Sequence, residues 1–136
     1  MSFRLLLIDD DEIFIMMSKF MIKESDFHPS PLSFEDGLAA ADFLKNNYQP
    51  NDRYVIFLDI NMPKMDGWEF LESIKEFANP SNTFVFMVSS STDDEDVAKA
   101  CKNQFVLKFM SKPILTDTLI QLKEMPELKQ LFKDGK

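Results

Sequence analysis

Short, continuously apolar runs alternate along this chain with stripes at helical spacing, and that alternation limits the fold more than any other feature. FRLLLI (3–8), YVIFL (54–58) and TFVFMV (83–88) are runs of branched and aromatic side chains too short for buried helices and right for buried strands. HPSPLSF (28–34) and QFVLKFM (104–110) are two more strand candidates, and Pro29 and Pro31 suit the former to a sheet edge. Between the runs lie amphipathic stretches. Residues 12–24 carry Ile13, Met16, Met17, Phe20 and Met21; 37–46 carry Leu38, Ala41, Phe43 and Leu44; 67–77 carry Phe70, Leu71, Ile74 and Phe77. Residues 93–102 carry Val97, Ala100 and Cys101, and 115–125 carry Leu115, Leu119 and Leu122. Pro126 should end that last helix, with residues 127–132 forming a short extra helical piece. Five βα repeats in series predict an α/β fold, a parallel sheet covered by helices on both faces and joined by right-handed crossovers.

In such sheets the working site lies beyond the carboxyl ends of the strands. Asp9, Asp10, Asp11 and Glu12 follow the first strand, Asp59 the third, Ser89, Ser90, Ser91 and Thr92 the fourth, and Lys112-Pro113 the fifth. The second offers only Glu35 and Asp36. Asp11 and Glu12 suit a helix N-terminus. Asp9, Asp10 and Asp59 are expected to crowd together, which raises their proton affinity, and a hard divalent cation relieves that conflict. Mg²⁺ commonly sits between one or two carboxylates and a phosphate. A carboxylate can attack phosphorus to give an aspartyl-phosphate, a reaction that needs positioning and charge neutralisation above all. Lys112 and the Ser89 hydroxyl are suited to two of the phosphoryl oxygens.

Composition narrows the remaining classes. The 136 residues suit one domain (1–136), with no visible linker, repeat or second domain. A formal net charge of −8 argues against a nucleic-acid partner, which needs clustered Lys and Arg. Cys101 is the only cysteine, so no internal disulfide forms, and it is expected as a small buried hydrophobe. No apolar stretch is long enough to span a bilayer and the first residues lack a signal-peptide pattern, so no membrane partner and a cytoplasmic location are expected. His28, the only histidine, is expected to be structural. The Met-rich stripe of residues 12–24 is expected in the core; its alternative is a docking surface for a kinase. Trp68 should lie early in the third helix.

LLLIDDDE, VIFLDINMPKMDGWEF, FMVSSS and FMSKP, each placed after an expected strand, make the chain resemble the receiver domains of two-component response regulators, specifically the single-domain, chemotaxis-receiver-like kind. The resemblance runs from Phe3 to about Met125 and leaves 126–136 as a C-terminal extension. It implies a flavodoxin-like, doubly wound five-stranded sheet of order 2-1-3-4-5. It implies that Asp59 is the phosphoacceptor, that Asp10 ligates Mg²⁺ directly and Asp9 through water, and that Asn61 supplies a backbone carbonyl. Ser89 becomes the hydroxyl that moves toward the phosphoryl group, Lys112 the ammonium beside it, and Pro113 the residue after a cis bond. Phe109 becomes the switch aromatic, Pro63 and Gly67 shape the turn into the third helix, and Asn61, Ser90 and Ser91 modulate the lifetime of the phosphorylated state. Lys108 stands where receivers usually carry Gly.

The implied function is phosphorelay signalling, not metabolic catalysis. The domain would take a phosphoryl group from a sensor histidine kinase or histidine phosphotransfer protein and catalyse only its own phosphorylation and dephosphorylation. The change at Asp59 would alter the face made by helix four, strand five and helix five for a downstream protein target, in a monomer or weak dimer. Two other readings share these residues. Asp9-Asp10-Asp11 resembles the DxD motif of haloacid dehalogenase-type phosphatases, with Asp9 as nucleophile, although no cap segment is present. A receiver fold that is never phosphorylated and serves as an interaction module is the other.

Overall fold

Tyr54–Asp59 is buried at every residue, as only a strand flanked by two others and covered on both faces can be. The structure, a computed structural model, describes residues 3–90 and 93–133. In chain order its elements are β1 (Arg4–Ile8), α1 (Glu12–Glu24), β2 (Leu32–Phe34), α2 (Gly37–Asn47), β3 (Tyr54–Asp59), α3 (Gly67–Ile74), β4 (Thr83–Ser89), α4 (Asp94–Cys101), β5 (Val106–Ser111), α5 (Thr116–Lys123) and α6 (Pro126–Lys133). All pairings are parallel and the strand order is β2-β1-β3-β4-β5, so the expected doubly wound sheet is the fold found.

Side chains alternate between the two faces of the sheet with the two-residue period of a strand. Leu5, Leu7, Val55, Phe57, Phe84, Phe86 and Val88 meet Phe14 and Ile22 of α1, Leu119 and Leu122 of α5, and Leu128 and Leu131 of α6. Leu6, Ile8, Ile56, Leu58, Val85 and Met87 meet Ala40, Ala41 and Leu44 of α2, Phe70, Leu71 and Ile74 of α3, and Ala100 of α4. Each large apolar side chain so buried contributes roughly 1.5–3 kcal/mol. Pro126 stands as the first residue of α6, where its missing N–H is not needed. The helix it starts buries Leu128 and Leu131 and sets the Phe132 ring edge-on to Phe3 and tilted against Phe27.

Three expectations about burial fail. On α1 the stripe Ile13, Met16, Met17 and Phe20 faces solvent, 65%, 65%, 46% and 60% exposed, while Phe14, Ser18 and Ile22 are buried. The helix is apolar around most of its girth, and Ser18 in the middle of the inward stripe disguised it. Cys101 is exposed, because Ala100 takes the inward position at the end of α4. Leu38 and Leu115 are exposed too. Strand five begins at Val106, not Gln104, and its ladder slips between Val85 and Phe86, so that Val85 pairs with Val106 and Phe86 with Lys108.

His28 is structural. Its Nδ1 accepts the Ser30 N–H (3.0 Å), so Nε2 carries the proton and donates to the Phe3 carbonyl (2.8 Å). Burial holds its pKa below the usual histidine value. As pH falls below about 6.5 the unfolded chain takes up a proton that the folded one resists, so this contribution to stability is present at neutral pH and is lost in acid. The unfolding midpoint of the parent should exceed that of His28→Gln at pH 7.5, and the gap should shrink at pH 5. A gap of constant size would show that the neutral ring is not what stabilises.

Candidate functional site

The strand register builds the site. Ile8 pairs with Leu58, so the next residues, Asp9 and Asp59, leave neighbouring strands side by side. Asp59 pairs with Val88, and Ser89 with Ser111, which brings Ser89 and Lys112 to the same edge. Two backbone bonds secure the arrangement: Asp9 N–H donates to the Phe34 carbonyl (3.0 Å), and Lys112 N–H donates to the Ser89 carbonyl (2.9 Å). The peptide between Lys112 and Pro113 is cis.

The carboxylates are close, and two of the three are poorly hydrated. Asp9 and Asp59 are 3% and 7% exposed and Asp10 is exposed; one oxygen from each lies within 4.8 Å of the others. Asp9 Oδ1 accepts the Asp11 N–H (2.9 Å), and its Oδ2 lies 2.7 Å from Lys112 Nζ. Asp59 Oδ1 accepts the Ile60 N–H (2.9 Å) and lies 3.7 Å from the same ammonium. Burial, and next the charge of Asp9, push Asp59 up to about 6, with Lys112 offsetting part of the rise. Burial also raises Asp9, against the hydrogen bond from Lys112. Mutual repulsion among oxygen donors with one side open to solvent is the chemistry that a hard divalent cation relieves, so these three residues fit such an ion.

The loop after β3 is shaped by contact. Gly67 N–H donates to the Ile60 carbonyl (2.8 Å), and a Cβ at Gly67 would come within 2.5 Å of the Asp59 carbonyl oxygen. Only glycine lets α3 start this near Asp59. A capping box between Asp66 and Glu69 fixes that start, and Lys64 takes the left-handed turn (φ 67°) after the exposed Pro63. Gly37 repeats the device, since a Cβ there would meet the Met65 carbonyl oxygen at 2.6 Å.

Among the residues expected here, Asp9, Asp10, Asp59, Ser89, Lys112 and Pro113 gather at one edge. Ser89 is buried, whereas Asn61 and Ser90 are exposed, and Ser91 lies outside the described residues. Phe109 is half-buried on the α2–α3–α4 side of the sheet, and Lys108 is exposed. Phe14 escaped sequence reasoning. Its ring lies 4.4 Å from Lys112 Nζ. Its place four residues after Asp10 was the available signal, obscured by the more apolar stripe beside it.

The family model for the response regulator receiver domain matches residues 5–124. The chain belongs to that family. It is 31% identical over 99 residues to response regulator Rcp1 of Synechocystis, a match spanning 68% of this chain and 65% of that protein. A two-component response regulator from Cytophaga hutchinsonii superposes with a TM-score of 0.79 at 34% identity, covering 88% of this chain and 92% of that one. A chain of the CheX-CheY-BeF3-Mg²⁺ complex from Borrelia burgdorferi superposes with a TM-score of 0.72 at 28% identity, covering 96% and 89%. This chain is thus a receiver domain of two-component signalling. Among its described residues no helix is long and apolar enough to cross a membrane.

In a receiver stripped of metal by chelator, an ionised Asp59 costs stability. Its folded pKa lies above the unfolded value of 3.8, so the cost is fully present above about pH 6 and fades as pH falls toward 3.8. Asp59→Asn should therefore raise stability at pH 7.5 by on the order of 1–3 kcal/mol and by much less at pH 4.5, read from denaturant midpoints. Equal gains at both pH values would contradict this account of the site.

Proposed function

We propose that Asp59 accepts a phosphoryl group with Mg²⁺ held by Asp9, Asp10, Asp59 and the Asn61 carbonyl, and that the transfer comes from a phosphohistidine on a sensor kinase or histidine phosphotransfer protein. The observation that carries the reading is the placement of Asp59: nearly buried, flanked by two carboxylates, and 3.7 Å from the Lys112 ammonium. With its pKa at about 6 the carboxylate is mostly ionised at neutral pH, as a nucleophile must be. An Asp59 oxygen forms the bond to phosphorus as the bond from phosphorus to the donor nitrogen breaks, the nitrogen keeping the electron pair. Lys112 holds a phosphoryl oxygen by charge, and the Ser89 hydroxyl donates to another. The ion, when bound, neutralises charge on the phosphoryl group. Water attack on the acyl phosphate resets the site, beside Asn61 and Ser90.

New charge at Asp59 draws in Ser89, and Phe109 can turn into the vacated space, altering the α4–β5–α5 face toward a downstream protein. The donor docks on α1. Its exposed stripe of Ile13, Met16, Met17 and Phe20 starts beside Asp10 and Asp11, so a helical partner lying on it has a histidine within reach of the site.

The direct test is intact mass after incubation with Mg²⁺ and acetyl phosphate. One added phosphoryl group is expected on the parent and none on Asp59→Asn. Label that persists in Asp59→Asn and maps to Asp9 would favour the phosphatase-like arrangement; an unlabelled parent would favour a pure interaction module. Met16→Glu/Phe20→Glu should accept phosphate from the small donor at the parental rate yet lose about tenfold or more in rate from a protein donor. Equal loss with both donors would remove α1 as the docking face.

A further inference from the structure

The Lys112 ammonium rides on a flexible four-carbon stem, and something must hold it over the site. Among the described residues three groups touch it: Asp9 Oδ2 at 2.7 Å, Asp59 Oδ1 at 3.7 Å and the Phe14 ring face at 4.4 Å. The two carboxylates are unreliable anchors. Any cation drawn to the Asp9–Asp10–Asp59 cluster competes with Lys112 for the same oxygens. The start of α1 is unfavourable as well, since the positive end of a helix repels an ammonium. The Phe14 ring is the exception. It binds cations through its quadrupole and takes no part in ligating an ion. It is itself fixed, 9% exposed, with its backbone N–H bonded to the Asp11 side chain (3.2 Å) in the first turn of α1.

We propose that Phe14 is a positioning residue for phosphoryl transfer: its ring face keeps the Lys112 ammonium beside Asp59 when a cation claims the carboxylates. The proposal rests on Asp59 being the phosphoacceptor. It gives α1 two jobs on opposite sides, since Phe14 points to the site and the Met-rich stripe points away.

The test keeps the shape of the ring and weakens its quadrupole. Phenylalanines carrying increasing numbers of fluorines are placed at position 14 alone, with Phe14→Leu as a coarser companion, and unfolding midpoints confirm that each variant is folded. Two readouts are taken at saturating Mg²⁺. The first is the proton shift of the Lys112 ε-methylene, which a ring 4.4 Å from Nζ moves upfield. The second is the rate of phosphorylation by acetyl phosphate. The shift should retreat toward a free lysine value and the rate should fall progressively with fluorination, by about three- to tenfold across the series. A labelled parent with a flat series and an unmoved Lys112 signal would overturn the role of Phe14 alone. An unlabelled parent would overturn the phosphoacceptor reading and this proposal with it, and the Lys112 shift would then report only whether the ring holds the ammonium.

Discussion

Two carboxylates shut off from water, Asp9 and Asp59, share the Lys112 ammonium at the carboxyl edge of the sheet. Left alone, the arrangement is costly, because burial and like charge both oppose ionisation. Lys112 removes part of the cost, and closely enough to Asp9 (2.7 Å) that it leans away from Asp59 at 3.7 Å. The remaining negative charge makes the site fit for a divalent ion. A site with its charge already balanced would have no such appetite.

The parallel sheet supplies rigidity for this. β3 is central and wholly buried, so Asp59 is borne by a strand paired on both sides and covered on both faces. β1 and β4 flank it and deliver Asp9 and Ser89, while the cis Lys112-Pro113 peptide follows β5. Gly67 then lets α3 begin against the Asp59 carbonyl. A change at Asp59 is thus in direct contact with α3, and Trp68, the next residue, lies under Lys99 of α4 at 4.5 Å. Two successive contacts thus lead from Asp59 to α4.

Much of this was legible in the sequence, for physical reasons. Buried parallel strands must be continuously apolar, so β1, β3 and β4 announced themselves; α1 was bounded by the Asp11 cap and the end of its periodicity, and its limits of 12 and 24 match the structure. The carboxylates, hydroxyl and ammonium were readable because the chain places each directly after a strand. The facing of α1 was not readable. Two apolar stripes competed, and the winner contains a serine, so which one meets the sheet depends on how Phe14 and Ile22 pack against β1 and β3 neighbours. The slip in β5 was hidden for a similar reason: Leu107 and Lys108 are ordinary strand residues, and the irregularity arises only from pairing with β4. Phe14 became visible once the lysine had a position.

The central claim is that the crowded acidic cluster is built to be completed by a divalent cation. It is tested most directly by following the unfolding midpoint as Mg²⁺ is raised in the absence of any phosphodonor. Stability should climb with Mg²⁺ concentration as binding to the folded state requires. The climb should be much reduced in Asp10→Asn and in Asp59→Asn, despite the higher starting stability of the latter. A parent whose midpoint ignores Mg²⁺, or a climb as large in both variants as in the parent, would contradict the account.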